Sequence, residues 1–336
     1  MNYPSERDLN ILPWIAVIKM PKINALPIYI FSYNRGQFLQ NCVSTIEQCA
    51  PESEVVVIDD NSEDVETIQI LKNINARHRV IRVAEQSGSE FKTGGLYGNM
   101  NLALSLAEAS QIQLVLFIQD DMQFVRALKE FDLERIISFF EMNRNVIQYH
   151  SVFSRADSVE KVQKFAQLDK ARAAYLLPGA VAVGKDNFSA VGVFHVGRVR
   201  QFLGSFSVGE GVNSKRCRDI GIQRGIGAYP FMNWLPYPSS YRGKRRNIMH
   251  RIVEFFGGAG FHPILQMPKE LEEKLLSRDP SVVPVAEEWL TAPTAPRHDL
   301  WSTGGGEYNL IARGGVPALA FRALRRVKRF FVAARS

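Results

Sequence analysis

The chain has 336 residues, of which 46% are apolar and 22% charged, with a formal net charge of +7. Such a composition describes an ordinary globular protein of one large domain or two smaller ones, able to bury a core unaided. Three scattered cysteines (Cys42, Cys49, Cys217) offer neither a disulfide framework nor a zinc site, so a reducing compartment is expected. No apolar run approaches the ~20 residues of a membrane span. The start, Met1-Asn2-Tyr3-Pro4-Ser5-Glu6-Arg7-Asp8, lacks the basic-then-apolar pattern of a secretory signal. The expected location is cytoplasmic, with peripheral attachment to the inner face of the cell membrane as an option. After Glu307 the only charged residues are Arg313, Arg322, Arg325, Arg326, Lys328, Arg329 and Arg335, seven in all, equal to the whole net charge. The body is therefore neutral and the tail polybasic, unlike a uniformly basic nucleic-acid-binding fold.

Residues 1–25 read as an irregular extension. Pro27 precedes the β-type run Ile28-Tyr29-Ile30-Phe31-Ser32; Gly36 breaks it, and Phe38, Leu39, Cys42, Val43 and Ile46 follow at helical spacing. Pro51 ends that helix, and a strand over 54–58 completes a βαβ unit. Asn61 and Ser62 are natural caps for a helix from about Glu63. A third strand over 80–83 leads to a Gly-rich loop (Gly88, Gly94, Gly95, Gly98), a helix near 101–108 and a strand over 114–118. Alternating strands and helices predict a mostly parallel sheet covered on both faces. A helix over 131–140 follows. Past residue 150 the pattern loosens, which suggests a mixed sheet or a recognition subdomain.

Two acidic clusters stand directly after strands: Val57-Ile58-Asp59-Asp60-Asn61-Ser62 and Phe117-Ile118-Gln119-Asp120-Asp121. Open α/β sheets bind ligands at the carboxyl ends of their strands. Four carboxylates around one crevice make sense if a divalent cation and a diphosphate meet there. A Rossmann dinucleotide site would need GxGxxG in the first turn, where Ser32-Tyr33-Asn34-Arg35-Gly36 has one glycine, and no P-loop motif occurs.

The turn Phe31-Ser32-Tyr33-Asn34-Arg35, the helix over 38–48 and Val57-Ile58-Asp59-Asp60-Asn61-Ser62-Glu63-Asp64 resemble the inverting glycosyltransferases of GT-A fold, in particular family 2. The resemblance covers about residues 26–235. It implies an α/β GT-A fold with a mostly parallel central sheet flanked by helices, and donor contacts from Ser32, Tyr33, Asn34, Arg35, Asp59, Asp60, Asn101 and Asp120. Within that set, Tyr33 would stack near the nucleobase, Asp60 would accept a hydrogen bond from base or ribose, and Asp120 would lie near the ribose or sugar. Asp121 would hold Mn2+ or Mg2+ as the last acid of a DxD-like motif whose first position is Gln119. Met100 replaces the family's usual arginine before Asn101. The lead-ins 178–182 and 190–194 point to Gly209-Glu210-Gly211-Val212-Asn213 as the segment supplying the base, with Glu210 first and Asp219 as fallback. Gly211 and Asn213 depart from the usual acids there. Capping of the following helices is the bland alternative for both aspartate pairs, and an exposed loop role is the alternative for Glu210.

Arg242, Lys244, Arg245 and Arg246 could cover a donor diphosphate or form a solvated turn. His195, His250 and His262 read more readily as structural than as metal ligands. Over 316–334 apolar residues recur at three- and four-residue steps among arginines, the pattern of a basic amphipathic helix that meets a membrane surface or packs on the body. The expected organisation is an extension (1–25), a glycosyltransferase domain (26–235, halves 26–125 and 126–235), a C-terminal extension (236–310) and the basic helix (311–336). The expected activity is metal-dependent inverting transfer from a nucleoside-diphosphate sugar, UDP-sugars favoured, to a glycan or lipid-linked acceptor, in surface polysaccharide or glycolipid synthesis. A catalytically silent nucleotide- or glycan-binding scaffold, or a nucleotidylyltransferase, are the other readings. No nucleic-acid partner is expected.

Overall fold

A computed structural model describes residues 25–83, 95–177, 188–239, 248–305, 309–311 and 314–323. The N-terminal extension, Gly88 and Gly94, the lead-in 178–182, the basic residues Arg242, Lys244, Arg245 and Arg246, and the tail past 323 lie outside the described residues.

The first half alternates as expected: β1 (Ile28–Ser32), α1 (Gly36–Cys49), β2 (Val55–Asp59), α2 (Val65–Asn75), β3 (Arg79–Arg82), α3 (Gly95–Ala109) and β4 (Leu114–Gln119). There follow β5 (Met122–Phe124), α4 (Glu130–Met142), β6 (Val146–His150), α5 (Val159–Phe165), β7 (Gln167–Asp169), β8 (Ala174–Leu177), β9 (Gly192–His195), α6 (Val196–Leu203), α7 (Glu210–Asp219), β10 (Gln223–Gly227) and β11 (Met232–Trp234). Helices α8 (Ile248–Gly257), α9 (Lys269–Ser277) and α10 (Ala286–Trp289) come after the last strand. Nine strands form one sheet in the order β3-β2-β1-β4-β9-β6-β10-β8-β7, and β5 pairs with β11 in a separate ribbon.

Strands β1 to β4 are mutually parallel, β9 runs against β4 and β6, and β10 lies parallel to β6. The ends of β1, β2, β4 and β6 therefore all open on one edge of the sheet. Successive side chains of a strand point to opposite faces, and the core obeys that alternation. Ile28, Ile30, Val55, Val57, Leu116 and Ile118 pack under α1, α2 and α4, while Tyr29, Phe31, Val56, Ile58, Val115 and Phe117 pack under α3 and α6. A third cluster ties Ile264, Met267, Leu275, Leu290 and Trp301 to Phe38, Val125 and Phe153, so the chain past β11 is packed onto the sheet domain.

Two local expectations are corrected. Helix α3 begins at Gly95, so Gly98, Asn99 and Met100 are helical rather than loop. Helix α2 begins at Val65 and is capped by Asp64, whose carboxylate accepts the Thr67 amide at 2.8 Å, rather than by Asn61 or Ser62. Ser62 is instead turned inward onto Asp59.

Behind the open edge, the Arg126 guanidinium is fully buried and makes a bidentate pair with Asp132 at 2.8 Å on both oxygens. It also donates to the carbonyls of Pro230 and Tyr229, at 3.0 and 2.6 Å. The pair fixes the β5–β11 ribbon against the start of α4. Removing one partner of a buried charge pair strands the other, at a cost of about 3–5 kcal/mol. Asp132→Ala should lower the unfolding free energy by about that amount in urea denaturation, and a loss under about 1 kcal/mol would show that the carbonyls alone satisfy Arg126.

Candidate active site

The β1–α1 turn is built to reach two neighbouring strand ends. Asn34 adopts a left-handed backbone (φ 48°), which asparagine tolerates better than most residues. Its amide donates to Ser62 Oγ at 2.8 Å, and its side-chain oxygen accepts the Glu63 and Asp64 amides at 2.9 and 3.0 Å. Gly36 starts α1 hard against α2: a Cβ there would come within 2.9 Å of the Thr67 Cα and the Ile70 Cδ1. Between these two residues, Arg35 turns inward.

Its guanidinium donates to Asp121 Oδ2 at 2.6 Å, lies 3.5 Å from Asp120 Oδ1, and donates through Nη2 to the Ser239 carbonyl at 2.7 Å. Burial works against its charge, but Asp121 and Asp120 outweigh that and raise its pKa above the ordinary value. Asp120 also accepts the Tyr33 amide at 3.2 Å. Asp121 Oδ1 is buried, with no hydrogen-bond partner among the described residues.

Asp59 is wholly buried and accepts both the hydroxyl and the amide of Ser62, at 2.5 and 2.8 Å, with Arg82 Nε at 3.6 Å. Burial nevertheless pushes its pKa up against those bonds. Asp60 is partly exposed; its pKa is also raised, first by burial and then by the charge of Asp59, against hydrogen bonds from Asn99 and Gly95. Asp60 Oδ1 and the buried Ser32 Oγ have no partner among the described residues.

A cavity of about 340 Å³ opens over this edge, with Arg35, Gln119, Asp121, Ser189, Glu210 and Trp234 in its walls. Ser189, Glu210, Trp234 and Thr303 are shared with a second cavity of about 660 Å³ that also takes in His150, Arg155 and Arg224. Trp234 is held beside Asp121 by the β5–β11 register, where Trp234 pairs with Met122 and the Leu235 amide donates to the Asp121 carbonyl at 2.9 Å. Glu210 is exposed at the first turn of α7, after Gly209 in a conformation (φ 105°) suited to glycine.

Other residues singled out in the sequence lie elsewhere or are otherwise engaged. Asp219 is at the far end of α7, roughly 13 Å along its axis from Glu210, and pairs with Lys215 at 2.6 Å. Asn101 exchanges hydrogen bonds with the Phe206 backbone at 2.9 and 2.8 Å. His195 caps α6, its pKa pushed down to about 4 by burial and Arg198. His262 bonds Thr294 and the Gly258 carbonyl, and the side chain of His250 is outside the description. Sequence reading missed His150, which ends β6 at the same open edge with its ring 5.5 Å from Trp234. Its position directly at a strand's carboxyl end was the available signal.

Among the described residues no group of three metal-ligating side chains occurs. Of the described residues, Asp121 alone offers on a cavity wall a buried carboxylate oxygen without a hydrogen-bond partner among them. That fits a hard divalent cation which completes its shell with diphosphate oxygens and water.

A carboxyl with a raised pKa costs the fold stability once it ionises, and the cost disappears as pH falls below that pKa. Asp60→Asn should therefore raise the melting temperature slightly near neutral pH. The gap to the wild type should close as pH falls through the raised Asp60 pKa. Thermal melts across pH test this, and a lower melting point at neutral pH would contradict it.

Residues 28–185 match the glycosyl transferase family 2 model. No curated protein matches the chain. Solved structures that resemble it include S. aureus TarS 1-349, at 14% identity, covering 75% of this chain and 69% of that one, with a TM-score of 0.43. Against a longer TarS chain the coverage of that chain is 42%. The mannosyltransferase PcManGT from Pyrobaculum calidifontis, in complex with GDP-Man and Mn2+, is 14% identical over 91% of this chain and 80% of that one, with a TM-score of 0.43. Glucosyl-3-phosphoglycerate synthase from Mycobacterium tuberculosis, in complex with Mn2+, UDP and glucosyl-3-phosphoglycerate, is 14% identical over 69% of this chain and 76% of that one, with a TM-score of 0.40. The family match falls on the sheet and turns that carry the acidic edge, so residues 28–185 form a glycosyltransferase domain of family 2.

Proposed function

We propose that the chain transfers a sugar, with inversion, from a nucleoside-diphosphate sugar bound over the Asp60–Asp121 edge to an acceptor entering through the larger cavity. The observation that carries this reading is a shared wall: Asp121, with its unpartnered oxygen, and Glu210, with an accessible carboxylate, face one cavity. Asp60, Tyr33 and Ser32, at the adjoining ends of β1 and β2, would receive the nucleoside.

Asp121 would hold Mn2+ or Mg2+, which when bound supplies Lewis-acid stabilisation of the departing diphosphate. The chain's own groups do the rest. Glu210 takes the proton of the acceptor hydroxyl as its oxygen attacks the anomeric carbon. The bond from that carbon to the diphosphate oxygen breaks with its electron pair leaving on the diphosphate. Trp234 offers an aromatic face between the donor and acceptor cavities, and Arg35 holds Asp120 and Asp121 in place. Asp219, at the other end of α7 and paired with Lys215, is poorly placed for proton abstraction. A glycan or a lipid-linked acceptor, as in surface polysaccharide or glycolipid assembly, fits the size of the acceptor cavity.

Calorimetric titration with UDP, GDP, dTDP and CMP, each with and without Mn2+, tests the donor site, with UDP first. One nucleotide should bind in a metal-dependent way, and Asp121→Ala should weaken it by at least about 100-fold, the equivalent of about 2.7 kcal/mol. Binding that ignores both metal and Asp121 would overturn the assignment. Glu210→Gln should keep nucleotide affinity within about twofold while lowering turnover by about 10²–10⁴; single-turnover assays with the identified donor separate the two effects. Unchanged turnover would remove Glu210 from the role of base.

A further inference from the structure

Helix α8 is amphipathic with its apolar side turned the wrong way for a packed domain. Ile252, Phe255 and Phe256, at i, i+3 and i+4, share one face, and that face is exposed, Phe255 to 77%. The two phenyl rings meet edge to face at 5.5 Å. The opposite face is buried through Val253, Glu254 and Gly257. Gly257 packs so closely on the 309–310 segment that a Cβ would come within 2.8 Å of the Leu310 amide nitrogen.

That contact brings a second helix, over 315–323, beside the first. Phe255, Phe256, Gly314 and Pro317 line an apolar groove between them. Val316 and Leu319 on the second helix are exposed to 78% and 63%, and only Ala318 of the residues 315–323 is buried. The apolar side of this helix is therefore not spent on the body of the protein. Five large exposed apolar side chains on two adjoining helices form a patch of the kind that marks an interaction surface.

The exposed charged side chains described on the two helices are both arginines, and Arg297, near Gly314, is paired with Asp299. Arg251 on α8 and Arg322 on the second helix are exposed. Glu254, the one acid of α8, is turned inward and accepts the Ser239 hydroxyl at 2.8 Å. The sequence has no acid after Glu307 and continues through Arg325, Arg326, Lys328 and Arg329. Aromatic residues on an apolar face rimmed by arginines suit the boundary between headgroups and acyl chains of an anionic leaflet.

We propose that the outward face of α8 and the 315–323 helix form one docking surface for an anionic lipid bilayer. The same turn of α8 reaches the acidic site from behind: Glu254 holds Ser239, and the Ser239 carbonyl holds the Arg35 guanidinium at 2.7 Å. Docking would set the catalytic edge about one helix diameter, ~10 Å, from the lipid surface. Given the glycosyl-transfer reading above, the acceptor class that fits is a glycan or hydroxyl carried on a membrane lipid.

The test is co-sedimentation of the full chain with phosphatidylcholine vesicles, with and without phosphatidylglycerol. Wild type should bind the phosphatidylglycerol vesicles, and binding should fall as salt rises. Phe255→Ser with Phe256→Ser should reduce partitioning at least about tenfold, and Arg251→Glu with Arg322→Glu should do the same. Both variants should keep the wild-type melting temperature and nucleotide binding, because the altered side chains are exposed. Wild type left in the supernatant, or the phenylalanine variant sedimenting like wild type, would overturn the proposal. So would light scattering that shows a wild-type dimer broken by the phenylalanine variant without vesicle binding, since the patch would then serve a second copy. Vesicle binding is read without turnover, so its failure leaves the donor-site titration standing, and the reverse.

Discussion

Asp120 and Asp121 are adjacent, buried and on the same strand end, and burying two neighbouring carboxylates calls for a cation in contact with them. The Arg35 guanidinium supplies it, in contact with Asp121 and within 3.5 Å of Asp120. Its position in turn depends on the β1–α1 turn, on the left-handed Asn34 and on the absence of a side chain at Gly36. One arginine thus connects three chain segments: the first turn, the end of β4, and the Ser239 carbonyl beyond β11. It cancels only part of the acidic charge. Asp121 lines the cavity, and one of its oxygens has no hydrogen-bond partner among the described residues.

The same edge shows a trade between stability and readiness. Burial raises the pKa values of Asp59 and Asp60 above that of an ordinary aspartate. Asp59 is compensated by the Ser62 hydroxyl and amide and by Arg82, and its task is to shape the loop after β2. Asp60 is less well served, with one oxygen that has no partner among the described residues. Sites that must bind a ligand often keep such unsatisfied groups at the expense of the empty fold.

The second half of the chain completes the site by a different route. Strand β9 runs antiparallel, so its beginning rather than its end lies at the open edge, which is how Ser189 enters the cavity wall. The β5–β11 ribbon, held by the buried Arg126–Asp132 pair, sets Trp234 next to Asp121. Helix α7 then delivers Glu210 by its first turn. The acidic groups come from parallel strand ends, and the groups that face them across the cavity come from antiparallel and irregular segments.

Much of the donor half was legible in the sequence. Alternation of β-type runs with 3.6-period segments, and acids standing directly after buried strands, are local patterns that name their own place in a parallel sheet. The family resemblance rests on those same residues, and the match over 28–185 agrees with it. The start of α3 was misread because three glycines near Gly95 resemble a loop, whereas packing of Met100 and Leu104 under the sheet outweighs their weak helix propensity. Similarly, two good capping residues, Asn61 and Ser62, were passed over for Asp64, because Ser62 is needed inside to satisfy Asp59.

The sequence by itself determined the parallel half-sheet, the two acidic strand ends and the polybasic tail, because each is written in neighbouring residues. Only the tertiary structure decided that Arg35 closes on both aspartates, that Glu210 rather than Asp219 shares a cavity with Asp121, and that Trp234 joins that cavity to the one lined by His150. It alone turned the phenylalanines of α8 outward. These depend on contacts between residues tens to hundreds of positions apart, and on which face of a helix the packing leaves exposed. Neither is encoded in local spacing.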